Sequence, residues 1–173
     1  TDKYGLTWTI IGRLPGIVLA VFALSVVAEE KIGVLFGSLL LFAIALKLSG
    51  LKFERSQKNL MLGGCVSGFM GTAVGVGGPP IALLYHDVSG PVLRATLSPY
   101  FLIGTAISIT ALAVTGNFDS GDLLISLFLL PAAIAGMAIS GPLRKTLNQK
   151  WITSGIYFLS GSAAITLLIR SLF

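Results

Sequence analysis

A chain of 173 residues that is 54% hydrophobic and 11% charged, with a mean hydropathy of +0.91, has too little polar surface for a water-soluble domain of its size. Its +5 net charge does not indicate nucleic acid, because the basic residues fall in short loops between apolar runs, where membrane topology accounts for them. The single cysteine, Cys65, excludes an internal disulfide framework and any metal site of clustered thiolates.

No cleavable signal peptide is visible, and the chain opens on Thr1 rather than methionine, as a trimmed or partial product does. The first apolar run, Trp8 to Ala28, starts with an indole suited to the membrane interface. Arg13 stands about five residues inside it, where snorkelling to the interface is the plain reading and substrate pairing the sharper one. Ile32 to Leu48 is the second run, and the polar linker Ser49 to Asn59 follows. Leu60 to His86 is long enough to cross a bilayer, yet Gly68, Gly71, Gly75, Gly77, Gly78 and the pair Pro79-Pro80 interrupt it. After Asp87 to Leu93 come Arg94 to Thr115, Leu123 to Gly141 and Trp151 to Ile169, the last again opened by tryptophan.

Loop charge orients these segments. Lys47, Lys52, Arg55 and Lys58 are opposed only by Glu54, and the loop with Arg144, Lys145 and Lys150 has no acid, so both belong in the cytoplasm. Glu29-Glu30-Lys31 and the loop of Asp119 and Asp122 read as outside. A single crossing by residues 60–86 would put the two basic loops on opposite faces. A hairpin removes the conflict: Leu60 to Val74 descends, Gly75 to Gly78 turns, and Pro79 to His86 returns. At 1.5 Å per residue the arms reach about 22 and 12 Å, so each ends inside the membrane. The expected fold is an all-α bundle with the N-terminus inside, five full spans and one re-entrant hairpin.

An internal repeat fits this topology. Leu14-Pro15-Gly16 and Leu130-Pro131-Ala132 each open a small-residue apolar stretch, followed by a loop and a span carrying glycines, Gly33 and Gly37 in one and Gly155 and Gly161 in the other. Their loops carry opposite charge, as inverted copies require. Residues 1–49 are then the last two helices of a first repeat, 50–59 a cytoplasmic linker, and 60–173 a second repeat made of hairpin 60–86 and helices 94–115, 123–141 and 151–170. On this reading about 70 to 80 residues of the first copy are missing before Thr1.

The break is the candidate site. Pro79 and Pro80 are well suited to start a half-helix, whose positive end would face the membrane centre. Gly75, Gly77 and Gly78 can bring backbone N–H groups close to an anion, while Gly68 and Gly71 read as helix-packing positions. Thr72, Thr96 and Ser98 would add hydroxyls, and Arg94 would complete or gate the site or else mark the cytoplasmic interface. All seven carboxylates, Asp2, Glu29, Glu30, Glu54, Asp87, Asp119 and Asp122, lie in or beside loops, which suits an anion better than a cation relay. His86-Asp87 would suit a proton shuttle or a structural helix end, and Cys65 a packing role.

The run Gly64-Cys65-Val66-Ser67-Gly68-Phe69-Met70-Gly71-Thr72-Ala73-Val74-Gly75-Val76-Gly77-Gly78-Pro79-Pro80, with Arg94-Ala95-Thr96 after it, resembles the second-repeat signature of the sulfite exporter TauE/SafE family. That resemblance implies two homologous halves, each with a glycine-rich motif, and transport of small anions such as sulfite, sulfonates or sulfoacetate. The first glycine-rich motif has no counterpart in this sequence. The expectation is a permease of the bacterial cytoplasmic (inner) membrane, neither an enzyme nor a cofactor protein, holding a small anion at Thr72, Gly75, Gly77, Gly78, Pro79, Pro80, Arg94, Thr96 and Ser98. Its partners would be that anion and the lipid bilayer, with proton or sodium coupling and a homodimer both compatible, and no nucleic acid. No nucleotide-binding signature is present. The rivals are a divalent-metal permease, which needs ligands clustered in the spans, and a non-transporting scaffold subunit whose glycines only pack helices.

Overall fold

The computed structural model describes residues 2–146 and 149–172, without the side chains of 29, 141–154, 156, 157 and 172. Seven helices follow in order: α1 (Lys3–Val26), α2 (Glu29–Leu48), α3 (Gln57–Val74), α4 (Gly78–Leu84), α5 (Gly90–Val114), α6 (Ser120–Thr146) and α7 (Gln149–Leu172). Most run past the apolar segments because polar residues extend them into the interface. Asp2 caps α1 by accepting from Gly5 N–H at 3.0 Å, so the helix starts five residues before Trp8. Helix α5 begins four residues before Arg94, with Pro91 in its first turn. Trp8 thus lies within α1 and packs against the cluster of Leu60, Ile81, Leu84, Tyr85 and Tyr100. Arg144, Lys145, Lys150 and Trp151 carry side chains outside the described residues.

Four described stretches are long and apolar enough to cross a bilayer: Lys3–Val26, Glu30–Leu48, Gly90–Val114 and Ser120–Ser140. Five full spans were expected. The 24-residue α7 has the length, but its described apolar stretch is only Phe158–Ser171.

Close approach of α1 and α3 forms the centre of the bundle. Gly12 and Gly16 of α1 and Gly64 and Gly68 of α3, each pair four residues apart, bring the two backbones together. A methyl at Gly12 would run into the Met61 backbone, at Gly16 into Cys65, at Gly64 into Thr9 and at Gly68 into Arg13. Without a hydrophobic drive between helices in lipid, such small-residue stripes allow the packing that holds spans together. The register, with Thr9 beside Gly64 and Arg13 beside Gly68, makes α1 and α3 parallel.

The chain turns after α3. Gly75 adopts φ +73°, a left-handed cap open to glycine, and donates its N–H to Met70 O. α4 then runs back along α3: Gly77 lies against Ser67, Gly63 against Leu84, and Phe53 N–H donates to Leu83 O at 3.4 Å. Arg55 bridges Asp87 at 3.1 Å and Asp2 at 3.4 Å, so the beginnings of α1 and α3 and the end of α4 meet at one end of the bundle. At that end Asp2 N–H also donates to Thr96 Oγ1 at 2.9 Å. At the opposite end Asn117 Nδ2 donates to Ser25 Oγ at 3.1 Å, which makes α5 parallel to α1.

Helix α7 packs antiparallel on α2. Gly37 lies against Ala164 and Leu168, Gly33 against Ser171, and Ser171 Oγ donates to Glu30 O at 3.1 Å. A methyl at Gly155 or Gly161 would meet nothing within 4 Å among the described residues. Antiparallel α2 and α7 put the start of α7 at the end of the bundle where α2 finishes. Residues 121–140 of α6 are exposed throughout.

Single cysteines at Lys52, Asn117 and Gln149, on a Cys65→Ser background, test the arrangement by labelling with a membrane-impermeant maleimide. Positions 52 and 149 label from one face of the membrane and 117 from the other; labelling of 52 and 149 from opposite faces would contradict the hairpin topology.

Candidate functional site

Arg13 occupies the junction of α1, α3 and α5. It is the tenth residue beyond the start of α1, about 15 Å along a helix of about 36 Å, and its side chain is buried at 3% exposure. It does not snorkel. The guanidinium carbon lies over the Tyr100 ring at 4.9 Å and near the Phe101 ring at 6.0 Å. Three glycines make room for it: a methyl at Gly104 would be driven into the guanidinium, one at Gly68 into the Arg13 stem, and one at Gly71 would lie 3.3 Å from Nη2. Nε and Nη1 are buried and have no hydrogen-bond partner among the described residues. Both ion pairs among the described residues involve Arg55, leaving Arg13 without a carboxylate.

The glycine break lies directly beside this group. The point occupied by a methyl at Gly71 is 3.3 Å from Arg13 Nη2 and 3.8 Å from Gly77 N, so the guanidinium and the turn share one small space. Two hydrogen-bonded chains fix that space. Tyr100 O–H donates to Ser67 Oγ at 2.9 Å, and Ser67 Oγ donates to Gly77 O, tying α5 through α3 to the turn. Ser108 Oγ donates to Gly104 O at 2.9 Å and lies 2.8 Å from Thr72 Oγ1, so Thr72 is the donor of that contact. Thr72, Ser67, Ser108 and Tyr100 are all buried.

The structure distributes the sequence-derived site residues over two places. Thr72, Gly75, Gly77, Gly78, Pro79 and Pro80 stand at or beside the break. Gly75 is exposed and supplies the left-handed turn rather than a free N–H, which goes to Met70 O. Gly77 is buried against Ser67, whereas a methyl at Gly78 would meet nothing within 4 Å among the described residues. Pro79 and Pro80 occupy the first turn of a seven-residue α4, with Pro80 buried. Arg94, Thr96 and Ser98 belong to the other end, because α5 runs parallel to α1 and sets Thr96 beside Asp2 and Gly104 beside Arg13. Arg94 and Ser98 are exposed there, and Thr96 Oγ1 donates to Val92 O at 2.9 Å. His86 is exposed at the same end, and Cys65 is half-buried.

Sequence reasoning passed over Ser67, Tyr100, Gly104 and Ser108. Ser67 could have been found from its place in the glycine-rich run, but the register of α5 against α3 requires tertiary structure.

A glycine-broken hairpin packed among membrane-length helices, with a buried cation at the break, is the architecture of a membrane transport protein. The family model described as "Sulfite exporter TauE/SafE" matches residues 1–167, and the chain belongs to that family of membrane transporters. No curated protein and no solved structure matches it.

Ser67→Ala leaves the Tyr100 hydroxyl and one bond to Gly77 O unmade. It should lower unfolding stability in detergent by about 1 to 3 kcal/mol, the usual cost of an unsatisfied buried polar group. A loss below about 0.5 kcal/mol in a denaturant titration would show that the chain from α5 to the turn does not hold the break.

Proposed function

We propose that this protein is a secondary transporter, a permease that moves a small sulfur-containing or organic anion such as sulfite or a sulfonate across the membrane. The observation that carries the reading is the family match over residues 1–167, which includes the whole hairpin. The substrate lies beside the Gly75–Pro80 turn, on the open side of Gly78, with Thr72 and the Gly77 backbone nearby. Arg94, Thr96 and Ser98 serve the entry at the Asp2 end, not the break. The seven carboxylates all lie in loops or the first turns of helices, so no acid of this chain competes with an anion at the turn.

Exchange between inward-open and outward-open states arises by rocking one repeat against the other around the fixed turn, and antiparallel α2 and α7 suit such a pseudo-symmetric frame. Proton or sodium coupling, a homodimer and a location in the bacterial inner membrane belong to the same proposal. A metal cargo fits less well, since among the described residues no group of three or more His, Cys, Asp or Glu side chains is poised to hold an ion.

Thermal unfolding of the purified chain with sulfite, sulfoacetate, thiosulfate, sulfate or Ni²⁺ tests the reading, with Gly78→Ala as the variant. Position 78 has room for a methyl, so this variant should unfold at the parent temperature without anion. At least one sulfur anion should raise the parent's midpoint and leave Gly78→Ala unchanged. Stabilisation by Ni²⁺ alone, or an equal anion response in both proteins, would contradict the proposal.

A further inference from the structure

We propose that Arg13 is the cationic ligand of the transported anion, closing the site opposite the glycine break. The inference rests on the permease reading above and adds to it the residue that matches the substrate's charge.

Burial and absence of a counter-charge carry the argument. Arg13 is 3% exposed at mid-helix, and its Nε and Nη1 donors have no partner among the described residues. The nearest acid on its own helix side, Asp2, is eleven residues and about 16 Å away along α1 and is engaged by Arg55. From α5 the guanidinium meets Tyr100, Phe101 and Gly104, and from α3 it meets Gly71, with Gly68 against the stem; none of these carries a negative charge. An isolated guanidinium at this depth is costly, and arginines inside spans normally pair or mark a substrate path.

Geometry identifies the chemistry of the missing partner. Ring contacts with Tyr100 and Phe101 restrain the guanidinium, while Nε and Nη1, without a partner among the described residues, remain for an oxyanion. Arginine presents donors in a planar fork that matches two oxygens of a sulfite, sulfonate or carboxylate group. The point a Gly71 methyl would occupy is 3.3 Å from Nη2 and 3.8 Å from Gly77 N, so an oxygen held by the guanidinium on that side stands beside the turn. Three glycines surround one side chain, which a helix-packing role for Arg13 alone does not require.

The rival is a purely structural arginine, held by the aromatic rings and the C-terminal end of α3. Titration calorimetry of the full chain with sodium sulfite separates the two, using the parent, Arg13→Gln and Arg13→Lys. Arg13→Gln should weaken binding at least about tenfold, with Arg13→Lys intermediate, because a charge-assisted bidentate contact is lost or reduced to a point charge. Sulfite binding by a folded Arg13→Gln within twofold of the parent would overturn the proposal and leave the permease reading standing. Failure of the parent to bind any of sulfite, sulfoacetate, thiosulfate and sulfate would overturn both. The second measurement needs no stable glutamine variant: arginine Nε–H resonances of labelled parent are followed during sulfite titration, with Arg13 assigned by its absence in Arg13→Lys. The Arg13 resonance should shift with saturation; a resonance that stays fixed while sulfite binds would overturn the assignment.

Discussion

In a low-dielectric interior an ionised side chain must find compensation, and among the described residues Arg13 has none from carboxylates. A charged residue at the centre of a helix raises its insertion free energy by about 3 kcal/mol on translocon scales. The bundle accommodates this charge through contacts that involve every neighbouring element. Gly68, Gly71 and Gly104 give up their side chains to make room, and Tyr100 and Phe101 supply aromatic rings. The stripe of Gly12, Gly16, Gly64 and Gly68 then lets α1 and α3 approach closely enough to enclose the stem.

The same contacts position the glycine break. Because α1 and α3 are parallel and α4 doubles back, the turn is delivered to the level of the guanidinium rather than to either membrane face. Tyr100, Ser67 and Gly77 link α5 to the turn, and Thr72, Ser108 and Gly104 link α3 to α5. In lipid such hydrogen bonds satisfy groups that water cannot reach, so irregular backbone is tolerated where protein surrounds it. The ends of the hairpin are tied through Arg55 to Asp2 and Asp87 at one exposed end of the bundle. Surface ion pairs of this kind contribute little stability and serve mainly to fix register.

The reversal after α3 was legible because its signal is local: glycines to turn, paired prolines to restart, and basic loops that demanded an even number of passages. Helix–helix register was not legible. Thr96 and Ser98 looked near the break in sequence terms, but parallel packing of α1 and α5 carries them to the Asp2 end. Arg13 looked close to an interface because the apolar run begins at Trp8, whereas the Asp2 cap starts the helix earlier and moves residue 13 toward its middle. Hydropathy finds the part of a helix that prefers lipid; capping and packing decide where the helix begins and how deep a residue lies. The α1/α3 crossing was half visible, since Gly68 was read as packing while its partners Gly12 and Gly16 emerged only with the structure.

The most direct measurement is an experimental structure with selenite, a heavier analogue of sulfite whose selenium can be located by anomalous scattering. The account predicts a selenium peak with its oxygens within hydrogen-bonding distance of the Arg13 guanidinium and beside the Gly77–Gly78 turn. Selenium found only against exposed basic residues such as Arg94 or Lys52, with Arg13 unchanged, would contradict it.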